Sequence, residues 1–271
     1  MSAAATAKLN LALVVGPQRP DGKHDVVTVL QRIDLVDRIE LRRSNRLTVS
    51  GFPADTLVHG ALQALAQEAG VEPAWHIRIR KRIPVAAGLG GGSSDAATAL
   101  RLANAELDHP LRPERLAALA ASLGSDVPFF LTVGPQLAEG DGTTLRPVAL
   151  PQDYFALVVL PHGEQKAATA AVYKRFDERD GAEGFEARRA VLEEKLAAVR
   201  RASDLADLPL NDLASSTVAD ELRSHGAFRA DVTGAGPAVY GLFLHRHAAE
   251  EARRSLGARG HTWIAVPAWY V

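Results

Sequence analysis

The stretch Ile83-Pro84-Val85-Ala86-Ala87-Gly88-Leu89-Gly90-Gly91-Gly92-Ser93-Ser94-Asp95-Ala96-Ala97 decides how this chain is read. It stands between two different periodicities. Before it, Trp75, Ile77 and Ile79 alternate with His76, Arg78 and Arg80, which is the period of two of a strand with one apolar face. After it, an alanine-rich run from Asp95 to about Glu106 has a helical pattern. Strand, glycine turn and helix start form the arrangement that an anion site needs. Glycines let backbone N–H groups close on phosphate oxygens, and the helix start offers unpaired donors and a partial positive charge. Ser93 and Ser94 add hydroxyls able to bind a phosphate oxygen or a magnesium ion, and Lys81 and Arg82 place charge beside the loop. The plain alternative is a flexible surface turn. Leu89 embedded among the glycines, and the abrupt change to an alanine-rich helix, argue against it. The run lacks the Gly-Lys-Ser ending of a Walker loop and the spacing of a dinucleotide fingerprint, so it is another phosphate-binding solution.

Working outward, the chain has 271 residues, room for one large domain or two ordinary ones. Hydrophobic residues make up 47% and charged residues 23%, the balance of a soluble globular protein. A net charge of -1 creates no global field for nucleic acid or anionic lipid. With no cysteine, disulfides and cysteine-held metals are excluded, and a cytoplasmic protein fits best. The opening MSAAATAKLN lacks the basic and apolar regions of a signal peptide. No stretch approaches the roughly 20 apolar residues of a membrane span.

Residues 8–15 alternate, with Leu9, Leu11 and Leu13 on one face and Lys8, Asn10 and Ala12 on the other, which predicts a strand with one buried face. A turn-rich connection over 16–25 leads to a further strand over 26–41. Asp55 is placed to cap a helix that runs to about Ala69, with Val58, Ala61, Leu62 and Leu65 on one side and Gly70 at its end. Pro113 and Glu114 open another helix that ends before Gly124, with Leu116, Leu119 and Leu123 as its buried stripe. Later come a strand over 154–160, a polar loop over 177–184, a helix over 185–200, a strand over 238–244, a helix over 248–256 and a strand over 262–266. This order predicts an α+β protein of two subdomains, 1–150 and 151–271.

At this point the chain resembles the GHMP kinases, named for galactose, homoserine, mevalonate and phosphomevalonate. The resemblance rests on Pro84 with the Gly88 to Ala97 run, on Ala7-Lys8-Leu9-Asn10-Leu11 and on Asp21-Gly22-Lys23-His24. It extends to Leu123-Gly124-Ser125-Asp126-Val127-Pro128-Phe129-Phe130, Asn211-Asp212-Leu213 and Thr233-Gly234-Ala235-Gly236-Pro237. The triple glycine followed by Ser93-Ser94-Asp95 is most similar to the branch that phosphorylates the 2-hydroxyl of 4-diphosphocytidyl-2-C-methyl-D-erythritol. The resemblance implies a ribosomal protein S5 domain 2-like N-terminal domain and a ferredoxin-like C-terminal domain. It also implies ATP and Mg2+ as cofactors and a monomer or homodimer acting on a small molecule.

The roles it implies are specific. Asp126 accepts the proton of the acceptor hydroxyl, and Lys8 keeps Asp126 ionised and stabilises the alkoxide. Lys81, Pro84, Gly88, Leu89, Gly90, Gly91, Gly92, Ser93 and Ser94 bind ATP, with Ser94 the candidate magnesium ligand. Thr56 stands where the family uses an asparagine near adenine. Asn10, His24 and Tyr173 contact the acceptor, Tyr173 by stacking or by simple packing of a helix start. Lys23 stands where the family has a tyrosine against the base, and it can instead attract the substrate diphosphate. Gly234 and Gly236 let the backbone pass close to loop and substrate. Two alternatives stay open: a GHMP kinase for another alcohol, or a nucleotide-binding regulator that has lost transfer.

Overall fold

A computed structural model describes residues 1–52, 56–163 and 169–268. Strands β1 (Ser2–Gln18) and β2 (His24–Arg43) form a long antiparallel hairpin. With β3 (Thr48–Ser50), β4 (Trp75–Arg80), β5 (Gln136–Gly140) and β6 (Thr144–Pro147) they make a six-stranded sheet of order β3-β4-β2-β5-β6, with β1 paired to β2. Against it pack α1 (Leu57–Ala69) and α2 (Gly91–Asn104), with α3 (Pro113–Leu123) on α1. Val58, Ala61, Leu62, Leu65 and Ala66 of α1 join Ala96, Ala99, Leu100 and Ala103 of α2 and Ile77 and Ile79 of β4 in one core. Small alanines on α2 let the two helices approach closely. Gly70 ends α1 in the left-handed conformation (φ 66°), as its position predicts. The expected cap Asp55 lies outside the described residues. On α3 only Ala120 is fully buried; Leu116, Leu119 and Leu123 pack at the rim of the core.

A second sheet follows, built from β7 (Phe155–Pro161), β8 (Arg229–Val232), β9 (Val239–Phe243) and β10 (Gly260–Ala265). Its order is β10-β7-β9-β8, antiparallel throughout. Helices α4 (Thr169–Asp177), α5 (Phe185–Ala198) and α6 (Thr217–Ser224) precede β8, and α7 (Arg246–Leu256) precedes β10. This is the split βαβ, or ferredoxin-like, arrangement. The two halves share apolar packing: Leu9, Leu11, Val27 and Val29 lie in one cluster with Phe185, Leu192, Val158, Tyr240 and Leu242.

The predicted strand over 8–15 exists but differs in two ways. Both of its faces are covered, since Lys8 and Asn10 are 3% and 4% exposed. A β-bulge between Asn10 and Ala12 also shifts the register, so the alternation reverses there. Leu9 and Leu11 face the shared core with Ala12 and Val14, whereas Leu13 crosses to the side of Lys8 and Asn10.

β1 has one edge on β2, and its other edge must satisfy its backbone groups elsewhere. The Lys8 amide donates to the Leu89 carbonyl at 3.0 Å, and the Asn10 amide to Thr233 Oγ1 at 3.1 Å. Further along, the Asp212 amide donates to the Leu13 carbonyl at 2.9 Å and the Val15 amide to Asp212 Oδ2 at 2.8 Å. Asn211 secures this seam: its Nδ2 donates to the Val232 and Gly234 carbonyls at 3.0 and 2.7 Å, and its Oδ1 accepts from the Leu213 amide at 2.8 Å. Because Asn211→Ala strands those groups in a buried place, it should cost about 3 kcal/mol. Urea denaturation measures this; a loss below about 1 kcal/mol would contradict the role given to the seam.

Candidate active site

α2 starts at Gly91, four residues before the Asp95 expected from the alanine pattern, with Gly90 in the left-handed conformation (φ 70°) just before it. Gly91 and Gly92 are poor helix formers, so tertiary contacts rather than propensity place them in the first turn. Helix geometry leaves the N–H groups of Gly91, Gly92 and Ser93 without intrahelical acceptors, and no side chain caps this end. Gly88 has no alternative residue: its φ is +85°, and a Cβ would fall 2.2 Å from the Thr233 carbonyl oxygen. Gly234 approaches from the other side, where a Cβ would stand 3.3 Å from the Gly88 carbonyl oxygen and 3.4 Å from Lys8 Nζ.

This helix start opens on a cavity of about 890 Å³. Lys8, Asn10, Lys23, His24, Lys81, Pro84, Gly88, Leu89, Gly90, Gly91, Gly92, Ser93, Asp126, Tyr173, Gly234 and Gly236 all line it. Ser94 and Thr56 do not. Ser94 is buried at 1% exposure, because the early helix start turns it into the protein. Thr56 is exposed at the N-cap of α1, and its neighbours Phe52 and Leu57 form the wall instead.

Lys8 and Asp126 meet as the motifs implied. Lys8 Nζ lies 3.7 Å from Asp126 Oδ2 and donates to Asn10 Oδ1 at 2.5 Å. Asn10 Nδ2 donates in turn to Thr28 Oγ1 at 2.8 Å, and Thr28 to the Ala12 carbonyl at 2.6 Å. Asn10 is thus spent on aiming Lys8. Asp126 sits between α3 and a short 3-10 turn (Pro128–Leu131), its side chain 41% exposed to the cavity. A fixed, buried ammonium beside an accessible carboxylate is an arrangement able to accept a hydroxyl proton.

Elsewhere on the cavity wall, His24 is buried, with its Nε2 2.8 Å from Asp177 Oδ1 and its ring 4.7 Å from that of Tyr173. Burial, and secondarily the charge of Asp126, push the Tyr173 phenol up to about 12, so it stays a neutral hydrogen-bonding group. Lys23 Nζ donates to Asp141 Oδ2 at 2.7 Å.

Sequence reasoning did not single out Asp37 and Asp95, which hold the loop from beneath. Lys81 Nζ donates to both, at 2.5 and 2.8 Å, and both acids are fully buried. Asp37 also accepts from the Arg82 and Ile83 amides, at 2.5 and 2.8 Å, which fixes the entry to the loop. Burial first, and then the charge of Asp37, raise the pKa of Asp95 above the usual carboxylate range, while Lys81 opposes both. The ammonium of Lys81 is therefore shared between two carboxylates. Asp95 stood in the glycine-serine motif without a role of its own, and Asp37 showed only as an acid in an apolar strand pattern, which several surface acids share.

The sequence profile of the GHMP kinases N terminal domain matches residues 56–134, and that of the GHMP kinases C terminal domain matches residues 185–262. The chain belongs to the GHMP kinases. It is 39% identical over 268 residues to a 4-diphosphocytidyl-2-C-methyl-D-erythritol kinase of Anaeromyxobacter sp. (strain Fw109-5), covering 93% of this kinase and 85% of the relative. The enzyme of that name from Gloeobacter violaceus (strain ATCC 29082 / PCC 7421) is 38% identical over 264 residues, covering 91% and 86%. A crystal structure of 4-(cytidine 5'-diphospho)-2C-methyl-D-erythritol kinase matches with a TM-score of 0.80 at 32% identity, over 98% of this chain and 99% of that one. The Methanococcus jannaschii mevalonate kinase matches with a TM-score of 0.79 at 15% identity, over 99% of this chain and 98% of that one, a likeness of fold alone. This kinase is a phosphotransferase that uses ATP on a small molecule.

Asp37→Ala leaves two amides unpaired and removes a buried carboxylate beside Lys81. It should destabilise the kinase by about 3–5 kcal/mol in chemical denaturation. An unchanged midpoint would contradict the anchoring role.

Proposed function

We propose that this kinase transfers the γ-phosphoryl group of ATP to the 2-hydroxyl of 4-diphosphocytidyl-2-C-methyl-D-erythritol. The observation that carries this reading is one continuous cavity that joins three parts: an uncapped helix start, the Lys8–Asp126 pair, and the enclosed His24–Tyr173 end. The 38–39% identity to kinases named for that acceptor supports it.

The phosphates of ATP lie on the backbone N–H groups of the loop and of the first turn of α2, where the helix dipole favours negative charge. Asp126 takes the proton of the acceptor hydroxyl as its oxygen bonds to the γ-phosphorus, and the bond from that phosphorus to the bridging oxygen of ADP breaks in line. Lys8, aimed by Asn10, stabilises the negative charge that develops on the attacking oxygen. His24 and Tyr173 receive the cytosine, with the Tyr173 ring as a stacking surface.

Among the described residues no group of three His, Asp or Glu side chains can hold a metal by itself. A magnesium ion bound by ATP needs only one or two protein oxygens, and Ser93, on the cavity wall, fits that need better than buried Ser94. Such an ion neutralises phosphate charge when bound. No helix among the described residues is long and apolar enough to cross a membrane.

Asp126→Asn should lower turnover by about 10²–10⁴-fold in a coupled ADP-release assay, while calorimetry shows ATP affinity within about threefold of wild type. Turnover like that of wild type would remove Asp126 from the base role. Mevalonate, homoserine and galactose, run beside the cytidyl acceptor, should give no ADP release above background. Faster release with any of them would replace the acceptor proposed here.

A further inference from the structure

The Lys23–Asp141 ion pair joins two segments of the cavity wall, one beside Asp126 and one beside His24. Gly142, the residue after Asp141, packs on Ser125, where a Cβ would lie 3.4 Å from the Ser125 Cβ, and Ser125 precedes Asp126. Lys23 precedes His24 at the enclosed end, and Lys23, Asp141 and Gly142 all line the cavity. An acceptor that reaches from Asp126 to the His24–Tyr173 end therefore passes this pair with its middle portion. In the acceptor proposed above, on which this inference rests, the middle portion is the diphosphate.

The two members of the pair differ in freedom. Asp141 is fixed by its own turn: its Oδ1 accepts from the Thr143 hydroxyl at 2.6 Å and from the Thr143 amide at 3.2 Å. Lys23 is 46% exposed and sits at the tip of the β1–β2 hairpin, tied through its ammonium, among the described residues, only to Asp141 Oδ2. Burial works to raise the Asp141 pKa, but the hydrogen bonds from Lys23 and Thr143 prevail and hold it at about 2, so the carboxylate is ionised near neutrality. The other lysine on this stretch of wall is Lys174, which is 77% exposed and lies 3.8 Å from Glu178 along its own helix.

We propose that Lys23 and Asp141 form a charge-selective subsite for a nucleoside diphosphate ester, in which Asp141 holds the ammonium until a diphosphate displaces it. The selectivity follows from Coulomb's law. A singly charged carboxylate ligand that draws Lys23 away gains no more attraction than Asp141 already supplies, and it leaves Asp141 unpaired beside it. A diphosphate carries more charge than one carboxylate and wins the ammonium. Asp141 thus acts against wrong ligands, while Lys23 acts for the right one. The side chain of Lys23 is long enough to swing, and its surface ion pair is weak enough to exchange.

The test measures the Kd of cytidine 5'-diphosphate and of cytidine by calorimetry, with the ATP loop filled by a non-hydrolysable ATP analogue. Wild type should bind the diphosphate at least about tenfold more tightly than cytidine. In Lys23→Met the two should fall within about threefold of each other, whereas Lys23→Arg and Lys174→Met keep the preference. Asp141→Asn, which frees the ammonium, should tighten the diphosphate by about threefold or more and leave cytidine unchanged. Circular dichroism confirms that each variant folds. An undiminished preference in Lys23→Met, weaker diphosphate binding in Asp141→Asn, or loss of preference in Lys174→Met overturns the subsite. A wild type that binds both ligands equally overturns the subsite and leaves the acceptor standing. One that binds neither overturns the acceptor reading with it.

Discussion

A single main-chain hydrogen bond, from the Lys8 amide to the Leu89 carbonyl at 3.0 Å, joins the first strand to the phosphate loop. The rest of the site depends on it. β1 is covered on both faces and has only one strand neighbour among the described residues, so its second edge has to be completed by something else. The loop completes it at Lys8, Thr233 completes it at Asn10, and the Asn211–Asp212 segment completes it at Leu13 and Val15. Backbone groups buried without partners cost too much to leave open. Both halves of the chain are therefore drawn onto the same few residues. The same requirement that seals the strand brings the Lys8 ammonium beside Asp126 and in front of the start of α2.

The charges obey a similar economy. Each of three lysines on the cavity wall is assigned to carboxylates: Lys8 to Asp126, Lys23 to Asp141, and Lys81 to Asp37 and Asp95. They differ in how firmly they are held. Lys81 is enclosed between two buried acids and belongs to the foundation of the loop. Lys8 is fixed mainly by Asn10, which leaves the Asp126 carboxylate open to the cavity. Lys23 is tied loosely at the rim. In the proposed reaction, attraction for phosphate from the backbone donors of α2 thus comes without a free ammonium competing for the Asp126 carboxylate.

Much of this was legible in the residues. The alternation at Trp75 to Ile79, the Gly70 stop of α1 and the Pro113 start of α3 mark elements whose local preferences agree with their burial. The glycine-serine run and its distant companions Lys8 and Asp126 were readable because each stands in a distinctive motif. Other features were not readable, for physical reasons. The bulge at Leu11 is a tertiary accommodation, and it sends Leu13 to the cavity against the period of two. The first turn of α2 consists of residues that disfavour a helix, so its start looked later than it is. Short strands such as β3 and β8 carry too few residues to show a period. The partners Asp37, Asp141 and Asp177 are ordinary acids in sequence, and Asp95 stands in a motif that does not name its partner, so only the fold brings each one to a lysine or histidine.

The central claim is that this geometry delivers the γ-phosphoryl group to a tertiary alcohol. The most direct measurement is 31P NMR of the kinase with ATP and 4-diphosphocytidyl-2-C-methyl-D-erythritol. ADP and one new phosphomonoester should appear in equal amounts. Because the C2 carbon bears no hydrogen, that ester resonance should show no splitting by a carbinol proton. ATP bound without a new ester, or an ester split by carbinol protons, would contradict it.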